Sequence, residues 1–288
     1  MKPEAYVLIS GTSSGIGAAC AHMLDQMGFR VFAGVRKTAD GEALRHQTSQ
    51  RLEPVLLDVT DEQSIRNTAT HIAQTVGNAG LAGLVNNAGI AVASPLEFIP
   101  LDAWRRQLEV NVTGQLAVTQ ALLPLLRQAR GRVVNIGSLG GFLASPFVGA
   151  YTASKFAMEG LTDTLRMELR PWGIEVALIV PGVIATPIWS TSLAAADKLL
   201  NQMSPQAVEL YGPAMNAVRT KAYPAGGTSP NAVAKAIARA LTTQRPRTRY
   251  PVGLDAQLGI LLTYLPDRWR DRIICSRQVG KTLERPPK

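Results

Sequence analysis

The sequence predicts an α/β fold in which a doubly wound parallel sheet of about seven strands carries helices on both faces. Short β-type runs alternate with helical stretches over residues 1–255, and no internal repeat interrupts them. With 46% hydrophobic and 18% charged residues in a 288-residue chain, the composition is that of one globular domain and not of a disordered segment. No apolar run reaches the roughly 18 residues that a membrane-spanning helix needs.

The first strand and the turn after it form the most informative local pattern. Tyr6–Ile9 has the composition of a buried parallel strand, and a turn rich in glycine and serine leads from it into a helical run. In such a turn glycine lets the backbone approach a pyrophosphate, and the N–H groups of the helix N-terminus face the phosphates. The pattern therefore predicts a Rossmann-type dinucleotide site formed by Gly11, Ser13, Ser14, Gly15, Ile16 and Gly17. A structural turn without a ligand is the alternative.

The end of the second strand indicates which dinucleotide is bound. Arg30–Val35 is followed directly by Arg36 and Lys37. Near this position an acidic residue binds the ribose 2′-hydroxyl of NAD, whereas an arginine accommodates the 2′-phosphate of NADP. Because Val35 stands where the acid would be, the sequence favours NADP(H) over NAD(H). Two ordinary surface charges are the alternative.

The third and fourth strands are short. Residues 55–57 form a strand that ends at Asp58, and the helix over about 61–76 opens with two acidic residues, as a first turn prefers. Residues 84–85 form a strand that continues into small and polar residues at 86–89.

Two polar residues in the middle of the chain have positions that suit a site. A helix over about 102–126 carries Asn111 between two valines, which indicates either a specific task or a satisfied core amide, because asparagine is a mediocre helix former. Ser138 lies just beyond the fifth strand, Arg132–Ile136, and ligands of parallel sheets bind outside the carboxyl ends of strands. A sixth strand over residues 175–180 follows.

Tyr151 and Lys155 are four residues apart at the start of a helix that runs to about residue 170. Side chains at this spacing share one face of a helix. An ammonium near a phenol favours the phenolate, so the pair predicts a tyrosine whose pKa is lowered toward neutrality and that can exchange a proton during catalysis. An ordinary amphipathic helix is the alternative.

The character of the chain changes after Thr186. Residues 187–229 are predicted to form small helices broken by Pro205, Pro213 and Pro224, an arrangement typical of a substrate lid. A helix over residues 230–243 and a last strand at 250–253 complete a domain over residues 1–255.

Residues 256–288 are predicted to form a basic, partly apolar extension. Residues 245–288 contain ten Lys/Arg and four Asp/Glu, so +6 of the net charge of +9 lies there. An apolar run at 258–265 beside several arginines suits a membrane surface, but packing on the domain or on another subunit is the favoured interpretation. Nothing in the pattern indicates a nucleic-acid partner.

The remaining residues indicate a reducing, cytoplasmic location. Cys20 and Cys275 lie in no metal-binding or redox spacing, and the three histidines form no cluster, so no metal is expected. The N-terminus enters a strand at once, so a signal peptide and export are not expected.

Taken in order, these motifs resemble those of the short-chain dehydrogenase/reductase family over about residues 5–255. The resemblance is carried by Gly11-x-x-x-Gly15-x-Gly17, Asp58, Asn86-Asn87-Ala88-Gly89, Asn111, Ser138, Tyr151-x-x-x-Lys155, Pro181-Gly182 and Thr186.

The resemblance implies a catalytic quartet. Tyr151 would be the general acid/base, and Ser138 would hydrogen-bond the substrate oxygen. Lys155 would hold the cofactor ribose and lower the pKa of Tyr151, while Asn111 would position a water that links Lys155 to solvent.

The resemblance also implies cofactor contacts beyond the glycine-rich turn. Asp58 and Val59 would lie at the adenine. The other contacts, along the cofactor and near its nicotinamide carboxamide, would come from Asn87, Ala88, Gly89, Pro181, Gly182, Val183 and Thr186.

The end of the chain narrows the resemblance to a branch of the family. Residues 250–256 (YPVGLDA) and 265–267 (LPD) are similar to the branch of 17β-hydroxysteroid and retinol dehydrogenases. That branch implies a lipophilic substrate. Together with the preference for NADP(H) drawn from Arg36 and Lys37, it predicts hydride transfer between the nicotinamide and a secondary alcohol or carbonyl of that substrate. A homo-oligomer is also expected. The substrate would contact Ser138, Tyr151 and the lid residues Ile188, Trp189 and Leu193.

Two other functions remain open from the sequence. One is a reductase of 3-oxoacyl or other small carbonyl compounds. The other is an interaction protein that senses NADP(H) without turnover.

Overall fold

The computed structural model describes residues 4–188, 190–192, 196–197, 204–221 and 226–279. It contains one seven-stranded sheet in the order β3-β2-β1-β4-β5-β6-β7, with every neighbouring pair parallel. The strands are β1 Tyr6–Ile9, β2 Arg30–Val35, β3 Leu52–Leu56, β4 Gly83–Asn86, β5 Arg132–Ile136, β6 Glu175–Pro181 and β7 Arg249–Val252. The predicted fold class is therefore confirmed.

Helices cover both faces of this sheet. They are α1 Gly15–Gln26, α2 Thr38–Arg45, α3 Glu62–Val76, α4 Leu101–Leu108, α5 Gly114–Ala129, α6 Gly149–Leu169, α7 Pro205–Lys221, α8 Pro230–Thr242, α9 Leu254–Leu262 and α10 Asp267–Gln278. Buried side chains of α1 and α8 form one core against the sheet, and those of α3, α5 and α6 form the other. The central strands are apolar on both sides for this reason.

Strand β1 lies between β2 and β4, so the chain reverses its direction of winding at this point. In open parallel sheets a ligand crevice forms where the strand order reverses, outside the carboxyl ends of the strands. The glycine-rich turn after β1 and residues 86–89 after β4 meet at this crevice.

Three predicted elements differ in detail. Strand β3 begins at Leu52 and includes Pro54, which the sheet tolerates because β3 is an edge strand. The helix predicted over residues 102–126 is divided into α4 and α5 by a π-helical turn, Glu109–Thr113. Pro213 is predicted to break the helices of the lid region, but α7 continues through it. Pro224 lies outside the described residues.

In the described parts of the chain, no helix combines the length and apolarity needed to cross a bilayer. The C-terminal region folds as the two helices α9 and α10.

Candidate active site

Ser138 and Tyr151 come together at the carboxyl end of β5. Ser138 lies two residues beyond that strand, and Tyr151 lies in the first turn of α6. The two side chains hydrogen-bond to each other, and both residues are less than one-tenth exposed, at 9% and 7%. The Gly140 N–H also donates to the Ser138 hydroxyl at 3.0 Å, which holds that side chain in place. A hydroxyl and a phenol are thus fixed side by side.

Lys155 lies one helical turn beyond Tyr151 on the same face. Its Nζ is 5.7 Å from the centroid of the tyrosine ring and donates to the Ile136 carbonyl oxygen at 2.7 Å. Burial lowers the pKa of Lys155 to about 8, because the protein interior disfavours the ammonium. The lysine is therefore mainly protonated at pH 7 and loses its charge around pH 8.

The prediction that the pKa of Tyr151 is lowered is wrong. Burial raises the pKa of Tyr151, because the phenolate loses its hydration, and the hydrogen bond with Ser138 only partly opposes this. The Lys155 amino group donates to the Ile136 carbonyl and lies 5.7 Å from the ring centroid, and burial remains the largest effect on the pKa of Tyr151. The phenol is consequently protonated at neutral pH.

Asn111 lies in the π-helical turn and is buried. Its Nδ2 donates to the Ile90 carbonyl and to the Ser154 hydroxyl, each at 3.0 Å, and its Oδ1 accepts from the Ile90 N–H at 2.9 Å. Because both amide hydrogens are used, a water held by Asn111 would bind as a donor, to its main-chain carbonyl or to the second lone pair of Oδ1. A π-helical turn inside an α-helix is a common feature of functional sites.

Sequence reasoning missed Gln107 and Gln115, which support the same loop. Gln107 bonds to the Val92 N–H and the Ile90 carbonyl, and Gln115 donates to the Ala88 carbonyl. The available signal was the spacing of three amides, at 107, 111 and 115, which places them on one helical face. Together they satisfy the backbone of the segment after β4.

The glycine-rich turn has the shape that a pyrophosphate requires. Gly11 has a φ of 68°, and a Cβ on Gly17 would lie 2.1 Å from the Gly11 carbonyl oxygen, so a larger residue would displace the turn. Asn87 Nδ2 holds the turn by donating to the carbonyls of Ser10 and Gly11 at 2.9 and 2.8 Å.

The start of α1 is open toward this crevice. Ser13 and Ser14 are exposed, and the Ser14 side chain does not cap the helix. The first N–H groups of the helix, those of Gly15, Ile16 and Gly17, can therefore donate hydrogen bonds to a bound anion. The turn fits a dinucleotide.

The remaining cofactor candidates line the same edge of the sheet. Arg36 and Lys37 are exposed at the end of β2, and Asp58 accepts from the Thr60 N–H and hydroxyl at 2.9 and 2.7 Å. Partial burial opposes ionisation, but the Thr60 hydrogen bonds and then the charges of Arg36 and Arg106 lower the pKa of Asp58. This end of the crevice carries two cations beside one fixed carboxylate.

Three further residues predicted to contact the cofactor are located by the packing around the crevice. Val59 is buried beneath Gly114, and Ala88 lies against Gly11, while the neighbouring Gly89 is exposed. These positions are the floor and rim of the crevice below the glycine-rich turn.

The loop after β6 completes the crevice. Pro181 ends the strand, and the methyl group of Thr186 lies 3.1 Å from the position that a Cβ on Gly15 would occupy. The Gly182 N–H donates to the Val252 carbonyl at 3.0 Å. The Val183 N–H donates to Asp255 Oδ2 at 2.5 Å, so that group is already engaged within the protein.

A small apolar cluster surrounds the ring of Tyr151. Ala91 and Val148 are buried with it, and Ala93 and Ile188 pack against them. The predicted substrate residues Trp189 and Leu193 lie outside the described residues.

An aromatic group adjoins this cluster. Tyr211 of α7 packs edge-on against Phe98 and Phe147, with ring centroids 5.9 and 6.1 Å apart. Its hydroxyl donates to Glu97 Oε2 at 2.7 Å. The helix predicted as part of a lid therefore contacts the loops that border Tyr151.

Comparison with known proteins yields a consistent group of relatives. A family model described as short chain dehydrogenase matches residues 5–197. The chain is 39% identical over 280 residues to retinol dehydrogenase 5 of Mus musculus and 38% identical over 280 residues to 17-beta-hydroxysteroid dehydrogenase type 6 of Bos taurus. Each alignment covers 94% of this chain and 88% of the relative.

A solved structure, a short-chain dehydrogenase from Streptomyces avermitilis, superposes with a TM-score of 0.77 at 28% identity. The superposition covers 98% of this chain and 99% of that chain. The likeness extends over the whole length of both.

Proposed function

The chain belongs to the short-chain dehydrogenase family and is an oxidoreductase acting on CH–OH groups, and from that premise we propose that it transfers a hydride between NADP(H) and a lipophilic secondary alcohol or carbonyl compound. A steroid or a retinoid is the substrate class that we infer. The observation that carries the proposal is the hydrogen-bonded pair of Ser138 and Tyr151 within an apolar cluster.

The proposed chemistry assigns a separate task to each side chain. A bound nicotinamide cofactor supplies or accepts the hydride. Ser138 and Tyr151 both donate to the substrate oxygen, where negative charge develops during reduction. Tyr151 gives its proton to that oxygen in reduction and takes it back in oxidation, and its raised pKa keeps the proton on the phenol until then.

Lys155 and Asn111 support this proton transfer. A cofactor ribose at Lys155 would replace the Ile136 carbonyl as a partner of its amino group. The ammonium would then stabilise the transient phenolate of Tyr151. We propose that a water on the main-chain carbonyl of Asn111 restores the proton.

The preference for NADP(H) is supported by charge. Arg36 and Lys37 are exposed where a 2′-phosphate would lie, and Arg36 is close enough to contribute to the lowered pKa of Asp58. Val35 provides no carboxylate for a ribose diol.

The lipophilic substrate is supported by the lining of the site. The ring of Tyr151 is bordered by Ala91, Val148 and Ile188 and is followed outward by aromatic side chains. The relatives named for retinol and hydroxysteroid conversion act on substrates that such a surface would bury.

A fluorescence titration followed by a substrate panel tests the proposal. We expect tighter binding of NADPH than of NADH, and turnover of steroid or retinoid ketones and alcohols. In the Ile188→Gln variant, kcat/KM for these substrates should fall about tenfold, because a polar group enters the apolar wall. The control is Val208→Gln, at a 45%-exposed position on α7, which should leave kcat/KM unchanged.

Three outcomes would contradict it. Equal or tighter binding of NADH would remove the assignment of Arg36 and Lys37. Turnover of 3-oxoacyl or small carbonyl compounds alone would favour that class of reductase. Cofactor binding without any turnover across the panel would be the behaviour of a sensor.

We also propose that the C-terminal helices rest on an anionic membrane surface, in a protein that is otherwise cytoplasmic. Leu254, Leu258 and Leu261 lie along one face of α9 and are 76, 63 and 61% exposed. Tyr264 and Trp269 extend this surface and are 83 and 70% exposed. Among the described residues this face is exposed and does not pack on the domain, which favours a membrane surface or a second subunit as its partner.

The charge beside the apolar face matches a lipid headgroup. Arg268 and Arg272 lie on α10 near Trp269, whereas Arg270 of the same helix pairs with Asp267 at 2.7 Å. An apolar surface with adjacent cations and an interfacial aromatic ring suits an anionic interface.

Vesicle flotation tests this contact. Wild-type protein should float with vesicles of phosphatidylcholine and phosphatidylserine, and the Leu258→Glu/Trp269→Glu variant should stay at the bottom. Met27→Glu, at a 41%-exposed position on the main domain, is the control. Flotation that is equal for all three proteins would end the proposal.

Sedimentation of the same samples without vesicles tests the proposed homo-oligomer, which exposed Phe156 and Met167 on α6 support. A monomer would exclude it. An assembly that the paired glutamate substitutions dissociate would assign the α9 face to a second copy instead.

A further inference from the structure

Helix α9 contacts two segments of the site although it lies beyond the part of the chain that the family model matches, residues 5–197. Its first turn reaches the loop after β6 through Asp255. Its second turn reaches the segment after Ser138 through Gly259. Neither residue was assigned a role by the sequence motifs.

Asp255 fixes the peptide between Gly182 and Val183. Its Oδ2 accepts from the Val183 N–H at 2.5 Å, and a Cβ on Gly182 would lie 2.1 Å from the same oxygen. The carboxylate thus lies directly on Gly182, which a larger residue could not permit.

A second contact holds the other side of Val183. Its carbonyl accepts from the Thr228 N–H at 2.9 Å, and the Ala185 N–H donates to the Thr228 carbonyl at 3.1 Å. With Asp255 on the N–H and Thr228 on the carbonyl, both backbone groups of Val183 are used. The direction in which the chain continues toward Thr186 is therefore set from outside the loop.

Gly259 lies in close contact with the second segment, the one that follows Ser138. A Cβ on Gly259 would lie 2.7 Å from both terminal methyl groups of Leu139, so the helix packs closely on this side chain. Leu139 follows Ser138 directly, and the Gly140 N–H donates to the Ser138 hydroxyl. A shift of Leu139 would therefore change the position of the Ser138 hydroxyl.

We propose that Asp255 and Gly259 are positioning residues through which α9 aligns the loop after β6 with Ser138. This inference deepens the proposed function and rests on it, because the proposed function places a nicotinamide at the loop after β6 and the substrate oxygen at Ser138. Asp255 acts on the cofactor side and Gly259 acts on the substrate side, so that the two effects are separable.

The role of Asp255 is tested first without cofactor or substrate. In Asp255→Ala the amide hydrogens of residues 182–186 should exchange about tenfold faster than in the wild type, because the Val183 N–H loses its acceptor. Asp255→Asn keeps one acceptor oxygen and should stay within about threefold of the wild type. Asp267→Ala removes an acid from the first turn of α10 and should not change exchange in this segment.

Cofactor and substrate measurements then separate the two residues. Asp255→Ala should raise the Kd for NADPH about tenfold. Gly259→Val should leave that Kd unchanged and lower kcat about tenfold, since it displaces Leu139. Leu139→Ala introduced with Gly259→Val makes room for the new side chain and should restore kcat to within about threefold of Leu139→Ala alone.

The results that would contradict the roles of Asp255 and Gly259 differ from the result that would contradict the proposed function. Unchanged hydrogen exchange in Asp255→Ala, or equal changes in the Asp255→Ala and Asp267→Ala proteins, would overturn the role of Asp255. A kcat that the second substitution does not restore would overturn the role of Gly259. A wild-type protein that binds no dinucleotide would overturn the proposed function, whatever the exchange experiment shows.

Discussion

Replacing Tyr151 by phenylalanine is expected to lower kcat by at least about a thousandfold while the Kd for NADPH changes less than about twofold. The phenol is the group that we place on the substrate oxygen, and the buried ring loses only its hydroxyl. The lost hydrogen bond with Ser138 should lower the free energy of unfolding by about 1 kcal/mol. Single-turnover kinetics, cofactor titration and denaturant unfolding measure the three quantities.

Tyr250 provides a matched control for this substitution. It is as buried as Tyr151, at 7% exposed, and its hydroxyl accepts from the Arg247 N–H at 3.0 Å. Tyr250→Phe should therefore cost a similar free energy of unfolding without a comparable loss of kcat. Equal kcat values in the two variants would show that Tyr151 does not act in the proton transfer.

The fold could be predicted because its signals are local and repeated. Buried parallel strands such as β1 and β5 are short apolar runs, and the polar residues at their carboxyl ends meet in space for geometric reasons. The pairing of Ser138 with Tyr151 follows from the same geometry. The alternation of elements therefore determined both the sheet and the approximate location of the site.

Other features depend on contacts that no local pattern contains. The π-helical turn contains Asn111, and the amide of this residue binds Ile90 and Ser154, which are distant from it in sequence. Helix α7 continues through Pro213 although proline removes one hydrogen bond of the helix, and Ala214 and Val218 beyond it are buried in a small apolar cluster. The raised pKa of Tyr151 reflects burial, which a spacing of four residues does not reveal.

The sequence motifs also did not predict the contacts that the C-terminal region makes with the site. The sequence pattern indicated an apolar and basic extension, but Asp255 and Gly259 act through Val183 and Leu139, which belong to other elements. Only the folded chain brings these pairs together.

Replacing Lys155 by methionine is expected to lower kcat/KM by at least about a hundredfold and, at pH 7, to stabilise the protein without cofactor. Burial lowers the pKa of Lys155 from 10.5 to about 8, so the folded protein binds this proton less tightly than the unfolded chain does. Protonation at pH 7 therefore costs about 3 kcal/mol. Methionine avoids this cost but leaves the Ile136 carbonyl without its donor, at about 1 kcal/mol. A net gain of about 2 kcal/mol should appear in denaturant unfolding.

The dependence on pH distinguishes this explanation from improved packing. Because the pKa of Lys155 is lower in the folded protein, its destabilising effect is complete below pH 8 and disappears as the pH rises toward 10.5. The advantage of Lys155→Met should therefore be largest at pH 7 and become a deficit of up to about 1 kcal/mol above pH 10.5, where only the lost hydrogen bond to the Ile136 carbonyl remains. The control Lys37→Met, at an exposed lysine, should show no such dependence. A constant advantage across this range would mean that the ammonium carries no cost. The predicted result would instead show that the site holds a charge at the expense of stability, which a bound anionic cofactor then offsets.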